Sequence, residues 1–493
     1  MEPESELSLS PSTGVAGSFD DIQLSSCVDV EDLMETSRHN RDDLHPYEHT
    51  GDIDSMDYFP IPASLWSLPF YVDDDSQQSF LWSYFVFRGS KIFLCWDTEK
   101  MGSNVLIDDP YTTTLTAVAA HSRPFYLAAL ALSAFLYSMD YPGVLPSTDV
   151  SRFRQQTLSA LKNTTRKSTE ISVDIILARL IMSLLDMDDG RNSFSLELGS
   201  RVTARCWQRR QPDYGQSDSV SDVALHLLRW TYICKQVSFS NEPESADDAA
   251  WRALEFRDEE LETPLRRQFS HWVIHPLYTV SHRWINPLLK LGRLVSLRRQ
   301  ARKFSGVSLP EDFEDQIGQL ENEILVARGR DLLVFLRGSG DLADLLCLNE
   351  AIHSAILLTF YTRLRDMTWT NSFVRQQARK VCEYAEAIDK CSRTLNNIVF
   401  PVFLAGCEAA DTETRERIVS LLSGLHPWGF WFHQEFKLLA SLQQVWLIRD
   451  EMPGASWPEW SQRGLSPFYC SYLTLELLTT TLVLLDNVFC IPI

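Results

Sequence analysis

Residues Phe400–Asp411 have the sequence FPVFLAGCEAAD, in which a proline leads an apolar run with a Gly-Cys-Glu centre. The run predicts a short, tightly packed helix, since it offers almost no polar face to solvent. Pro401 is expected to stop or kink the preceding helix, because proline lacks an amide donor. Gly406 would allow close approach of a neighbouring element. Cys407 is expected to be a buried, inert thiol, and Glu408 to cap or pair with a neighbouring helix.

Helical periodicity extends in both directions from this stretch. Before it, six apolar residues recur at steps of three, four or seven and share one helix face: Val374, Ala378, Val381, Ala385, Ile388 and Leu395. After it, Asp411 is a plausible N-cap, and a further helix runs through Phe432 and Trp446. The other predicted helices cover 79–95, 112–138, 148–167, 170–188, 194–209, 219–238, 277–303, 311–330 and 345–366.

The helical pattern predicts an all-α fold. Strand-like alternation is scarce, and no fixed-period repeat occurs, so a regular solenoid is not supported. We therefore expect an irregular array of packed antiparallel helices over residues 76–493. Two apolar runs, 124–139 and 472–485, are shorter than the roughly 20 residues that span a bilayer. Both are interpreted as buried helices.

Charge separates a tail from the helical body. Residues 1–75 hold 18 acidic residues against Arg38 and Arg41, a net charge of −16 out of −21 for the 493-residue chain. Such a segment buries too little apolar surface to fold, so a disordered acidic tail is expected. Acidic residues interleaved with aromatics, such as Phe19 and Tyr58, also match the composition of activation segments. A purely solubilising tail is the alternative.

Cysteine usage and the first residues favour an intracellular location. The ten cysteines include no C-x-x-C pair, which fits buried thiols in a reducing compartment better than a disulfide framework. The N-terminal residues do not show the basic and then apolar pattern of a secretory signal. The expected location is the nucleus, with the cytoplasm as the alternative.

Two separated segments together resemble the fungal-specific transcription factor domain. One is the aromatic opening Phe80–Phe87 (FLWSYFVF), followed by Phe93–Asp97, Asn104–Leu106 and the Leu, Ala and Ser-rich stretch Pro124–Ala134. The other is the signature around Pro401, Gly406, Cys407 and Glu408. The resemblance covers roughly 78–490 and implies a helical regulatory domain without catalytic activity.

The resemblance also raises the question of how DNA is read. Members of this family usually carry an upstream zinc cluster with six closely spaced cysteines. Here Cys27 is the only cysteine before Cys95, so no zinc ligand set and no other cofactor is expected. Either the chain is a shortened version that begins inside the linker, or the protein lacks this DNA reader. DNA binding would then be indirect, through other transcription regulators, a zinc-cluster partner or a homodimer. A small-molecule effector is a further expectation for the helical body.

Candidate sites outside the signature are few. Arg298, Arg299, Arg302 and Lys303 belong to the densest basic cluster, which suits a nuclear import signal or partner surface, although the solvated face of an amphipathic helix explains it more simply. His271 and His275 share a metal-site spacing, with His282 nearby. However, Trp272 stands where a zinc protease has its Glu, so no metal site is assigned. No catalytic residue is assigned either.

The sequence therefore predicts a non-enzymatic transcription regulator of metabolic or secondary-metabolite genes. Two alternatives remain open. One is an α-helical interaction scaffold with no role in transcription. The other is a helical enzyme with an aromatic pocket around Trp428, Trp431 and His433.

Overall fold

The computed structural model describes residues 76–94, 110–141, 147–167, 172–185, 219–237, 253–257, 280–303, 308–335, 343–425 and 435–454. The acidic tail predicted for residues 1–75 lies outside these ranges. The helix predicted at 194–209 and the apolar run at 472–485 also lie outside them. These three predictions stay predictions.

The described residues form thirteen α-helices and three 3-10 helices, and no strand occurs among them. The all-α prediction is therefore confirmed. The α-helices are α1 (Ser76–Phe87), α2 (Pro110–His121), α3 (Arg123–Asp140), α4 (Ser147–Lys167), α5 (Val173–Leu185), α6 (Ser219–Val237), α7 (Ile285–Lys303), α8 (Phe313–Phe335), α9 (Ala343–Arg363), α10 (Ser372–Glu386), α11 (Val399–Cys407), α12 (Thr412–Ser423) and α13 (Glu435–Glu451). The 3-10 helices are Gly89–Phe93, His282–Trp284 and Arg393–Asn397.

The N-terminal helices gather around α3, which contacts α1, α2, α4 and α5. All residues of α3 from Pro124 to Leu136 are buried. The side chains of this segment are apolar or small on every side of the helix, so it has no polar face to turn to solvent. The prediction that the apolar run at 124–139 forms a buried helix is thus confirmed. Trp82 of α1 lies against Tyr126 of α3 with ring centroids 5.5 Å apart.

The prediction of a single helix over 112–138 is wrong at one point, because the helix is interrupted at Ser122, which separates α2 from α3. Ser122 is extended, with φ −126°, and its side chain accepts a bond from the amide of Phe125. Pro124 occupies the first turn of α3, where its missing amide costs no helical hydrogen bond. A serine cap followed by proline therefore starts a new helix.

The C-terminal helices gather around α9 and α11. Helix α9 is long and apolar enough to cross a membrane by length and composition alone, but 83 % of its apolar window is buried inside the domain. It is therefore a core helix. It contacts α10 and α11 as well as α7 and α8, so it links the middle of the chain to the region of the signature.

The periodic stretch at 374–395 is helical only in its first part. Val374, Ala378, Val381 and Ala385 lie on α10 and are buried, as their spacing predicts. The helix ends at Glu386, well before Pro401, so the prediction that Pro401 stops this helix is wrong. The chain turns at Asp389, whose side chain accepts a bond of 2.8 Å from the amide of Cys391. Ser392 then caps the 3-10 helix Arg393–Asn397.

Candidate functional site

The stretch around Gly406 forms helix α11, and all nine of its residues are buried. Pro401 lies in the first turn, where an amide donor is not required. The helix therefore contains its proline without a break. The residues of the resemblance are placed together: Pro401, Gly406 and Cys407 within α11, and Glu408 at its C-cap.

Side chains of α12 and α13 lie close to the backbone of α11 at Gly406. A Cβ atom at this position would lie 2.8 Å and 2.9 Å from the two terminal methyl groups of Leu442, and 3.4 Å from Ile418. Trp446 of α13 donates from its indole nitrogen to the Gly406 carbonyl oxygen over 2.8 Å. The absence of a side chain therefore sets the spacing of three helices.

Glu408 lies between two arginines in the interior. Its Oε1 accepts from Arg363 Nη1 at 2.6 Å, and its Oε2 accepts from Arg449 Nη2 at 2.5 Å. The side chains are 0 %, 1 % and 2 % exposed for Arg363, Glu408 and Arg449. We call these three residues the buried arginine–glutamate junction. It connects the end of α9, the end of α11 and the last turn of α13.

The charge balance of this junction is unusual for a protein interior. Two guanidinium groups share one carboxylate, so the cluster carries a formal positive charge. Burial, followed by the repulsion of Arg363, lowers the pKa of Arg449. The guanidinium of Arg449 also lies 5.1 Å from the ring centroid of Trp369, and this ring face attracts a cation. Trp369 is held in turn by a 2.7 Å bond to the Pro453 carbonyl oxygen.

Cys407 is buried beside the junction. Burial, aided by the Glu408 carboxylate, raises the pKa of this thiol well above its usual range. The protonated thiol is the unreactive form. The expectation that Cys407 is buried is confirmed, and the expectation that its thiol is inert stays a prediction.

Exposed ion pairs surround the buried junction. Arg415 of α12 forms a two-point contact with Asp450 of α13, at 2.8 Å and 2.7 Å. Arg417 makes the same kind of contact with Glu386 of α10, at 2.8 Å and 2.7 Å. Asp411 accepts from the amide of Thr414 at 2.9 Å, so the predicted N-cap of α12 is confirmed. The signature thus sits inside a set of helices joined by charge pairs.

The basic cluster on α7 lies close to the turn that follows α9. Arg298 and Arg302 both bind Asp366, at 2.5 Å and 2.6 Å. Arg298 also donates to the Leu364 carbonyl oxygen. Asp366 has φ 53°, a left-handed conformation that aspartate adopts more readily than most residues. Two of the four residues of the candidate import surface therefore hold this turn in place.

The remaining sequence candidates are largely outside the described residues. These are His271, His275, Trp428, Trp431 and His433. His282 lies in a 3-10 helix, with its ring centroid 6.4 Å from that of Phe256. Over the ranges that the structure describes, no group of three or more His, Cys, Asp or Glu side chains is placed to hold a metal ion.

Sequence reasoning missed Arg363 and Arg449. Each is the basic residue in the last turn of its helix, which looks like an ordinary C-terminal charge. The available signal was Glu408 itself, because a carboxylate expected inside an apolar core needs cationic or hydrogen-bonding partners. The spacing of residues 363, 408 and 449 along the chain does not indicate that Arg363 and Arg449 are the partners of Glu408.

Comparison with known proteins gives one match. A family model described as a fungal specific transcription factor domain matches residues 79–470. No curated protein and no solved structure matches the chain. The matched range contains both the aromatic opening on α1 and the signature helix α11, which the buried junction fixes within the fold.

Proposed function

The chain belongs to the fungal specific transcription factor domain family, and from this premise we propose that it regulates metabolic or secondary-metabolite genes through protein contacts. Family membership supports the general role of transcription regulator. A partner protein would bring the chain to its promoters, and residues 1–75 would act there. The observation that carries it is the match over residues 79–470.

We propose that a partner supplies the DNA reader. Residues 1–94 contain Cys27 as their only cysteine, whereas a zinc cluster uses six in a compact run. The helical body also offers little electrostatic attraction for phosphates, since residues 76–493 carry a net charge of −5 and phosphate binding depends on clustered Lys and Arg. A zinc-cluster protein or a second copy of this chain would position it on DNA.

We propose that residues 1–75 contact the transcription machinery. Their 18 acidic residues are interleaved with aromatic and aliphatic residues such as Phe19, Leu33 and Phe59, a pattern typical of activation segments. The compact helical body would then carry the regulatory contacts, with its C-terminal helices held by the buried junction. Work on promoters requires entry into the nucleus, with Arg298, Arg299, Arg302 and Lys303 as the candidate import or partner surface.

A reporter assay tests this proposal. The full chain is fused to a heterologous DNA-binding module upstream of a reporter gene. We expect a severalfold change in reporter output. Replacing Phe19, Leu33, Met34, Tyr58 and Phe59 together by alanine should abolish that change, because acidic residues alone lack apolar contacts for a partner.

The control variant replaces the same number of serines in residues 1–75 by alanine, and its output should match that of the unaltered fusion. Unchanged output from the unaltered fusion, with the protein present at normal levels, would contradict the proposal. That result would favour an α-helical scaffold with no role in transcription.

A further inference from the structure

Four aromatic side chains form a continuous surface where α1 and α3 meet. Phe80 and Tyr84 lie one turn apart on α1, and Tyr137 and Tyr141 stand four residues apart at the end of α3. Tyr137 is central. Its ring centroid lies 5.0 Å from that of Phe80 and 5.2 Å from that of Tyr84. It lies 4.8 Å from that of Tyr141. We call these four residues the aromatic surface.

The aromatic surface is open to solvent. Phe80 is 46 % exposed and Tyr141 is 38 % exposed, while Tyr84 and Tyr137 are half-buried. In the part of the chain that the structure describes, Phe80 and Tyr141 are the two exposed aromatic side chains, and both belong to this one surface. Contiguous exposed apolar patches mark interaction sites. The aromatic surface is therefore a candidate docking site.

A hydrogen-bonded charge pair holds part of this surface in place. The Tyr84 hydroxyl donates to the Asp140 carboxylate. Arg88 donates to the same carboxylate through two contacts, at 3.0 Å and 3.2 Å. The carboxylate and the guanidinium balance each other, so this group adds no net charge to the surface. An uncharged occupant suits such a surface, and rings that are already held in place cost little ordering on binding.

An uncharged segment precedes α1 in the sequence. Residues 60–72 read PIPASLWSLPFYV, with three prolines, three aromatic residues and five aliphatic residues. Acidic residues flank this segment on both sides, 15 of them in residues 1–57 and three in residues 73–75. Segments rich in proline favour an extended polyproline II chain, and such chains dock on surfaces lined by aromatic side chains. Residues 60–72 lie outside the described ranges, and their composition matches this kind of occupant.

The uncharged segment is close enough along the chain to reach the aromatic surface. Residue 72 comes four residues before Ser76, which is at most about 14 Å of extended chain. Phe80 lies about 6 Å further along the axis of α1. Thirteen residues of polyproline II chain measure about 40 Å, whereas neighbouring rings of the surface are 4.8–5.2 Å apart. A tethered segment also has a high effective concentration, so weak contacts are enough to hold it.

We propose that residues 60–72 dock on the aromatic surface of the same chain. The prolines and Trp66 would pack against the exposed rings of Phe80 and Tyr141. Docking would leave residues 1–57, with 15 of the 18 acidic residues of the tail, to contact the transcription machinery. Only this consequence rests on the proposed function.

Photochemical crosslinking of the full chain tests the docking. The photoreactive residue p-benzoylphenylalanine replaces Tyr141, so that an aromatic ring is kept at this position. Chains with natural nitrogen and chains with ¹⁵N are mixed before irradiation, and mass spectrometry then maps the crosslinked peptides. We expect crosslinks from position 141 to residues 60–72, with both peptides carrying the same isotope label.

Variants of the tail show which residues make the contact. Replacing Trp66, Phe70 and Tyr71 together by alanine should lower the crosslink yield by at least about tenfold, because three large side chains no longer bury apolar area. The matched control replaces Phe19, Leu33 and Met34 by alanine, and its yield should equal that of the unaltered tail.

A second crosslinking position checks that the contact is specific to the aromatic surface. Leu447 of α13 is 55 % exposed, so p-benzoylphenylalanine is tolerated there without disturbing the core. Crosslinks from position 447 to residues 60–72 should be absent.

Three outcomes would overturn the proposal. One is a folded chain, as judged by circular dichroism, without crosslinks from position 141 to residues 60–72. Another is crosslinks that join differently labelled peptides, which would assign the aromatic surface to a second copy of the chain. The third is equal yield from the unaltered tail and the triple alanine variant of residues 66, 70 and 71. The reporter assay changes no residue within 60–72, so a failure here is distinct from a failure there.

Discussion

Replacing Glu408 by glutamine is expected to lower the free energy of unfolding by about 3–5 kcal/mol, because it leaves two buried guanidinium groups without their anion. Glutamine keeps the size of the side chain and removes only the charge. Chemical denaturation monitored by circular dichroism measures the loss. Since domains are stable by only about 5–15 kcal/mol, this single change would cost a large part of the total.

The matched control for this prediction is Glu386→Gln. Glu386 also binds an arginine through two contacts, but its side chain is 43 % exposed, and exposed pairs contribute about 0–1 kcal/mol. The triple variant Arg363→Met, Glu408→Leu, Arg449→Met should recover most of the loss, because apolar groups can replace a buried ion cluster. Equal destabilisation by Glu408→Gln and Glu386→Gln would contradict the account of the junction.

Replacing Gly406 by valine is expected to destabilise the protein by about 3 kcal/mol, at the upper end of what overpacking a core costs. Even a single added carbon would lie 2.8 Å and 2.9 Å from the methyl groups of Leu442. That side chain is fully buried, so its methyl groups have little room to move. Helices α11 and α13 would have to separate and lengthen the 2.8 Å bond from Trp446 to Gly406.

Gly318 on α8 provides the control for this substitution. An added Cβ there meets nothing within 4 Å, and any residue other than proline favours a helix more than glycine does. Gly318→Val should therefore leave the unfolding free energy unchanged or raise it slightly. A comparable loss at both positions would contradict the account, because an added side chain at Gly318 meets no neighbouring atom.

Much of the fold follows from the sequence because helix periodicity and apolar runs are local signals. The all-apolar segments of α3 and α11 identified buried helices, and Asp411 identified the start of α12. The interruption at Ser122 was missed because the apolar pattern continues across it. The Ser122 cap and Pro124 end one helix and start the next through the backbone, which an apolar pattern does not record. The end of α10 at Glu386 was missed for the same reason, since Ile388 and Leu395 remain buried beyond it.

The long-range contacts could not be predicted in this way. Arg363, Glu408 and Arg449 come from three helices, and no periodicity within one helix relates them. The contact of the Trp284 and His353 rings likewise depends on how the 3-10 helix ending at Trp284 meets α9.

The central claim is that this chain regulates transcription at promoters that another protein reads. The most direct test takes DNA fragments recovered with the tagged full chain from chromatin and asks whether the purified chain alone binds the same fragments as naked DNA. The account predicts specific enrichment from chromatin and no specific binding in the purified system until a DNA-reading partner is added. Specific binding of naked DNA by the purified chain alone would contradict it.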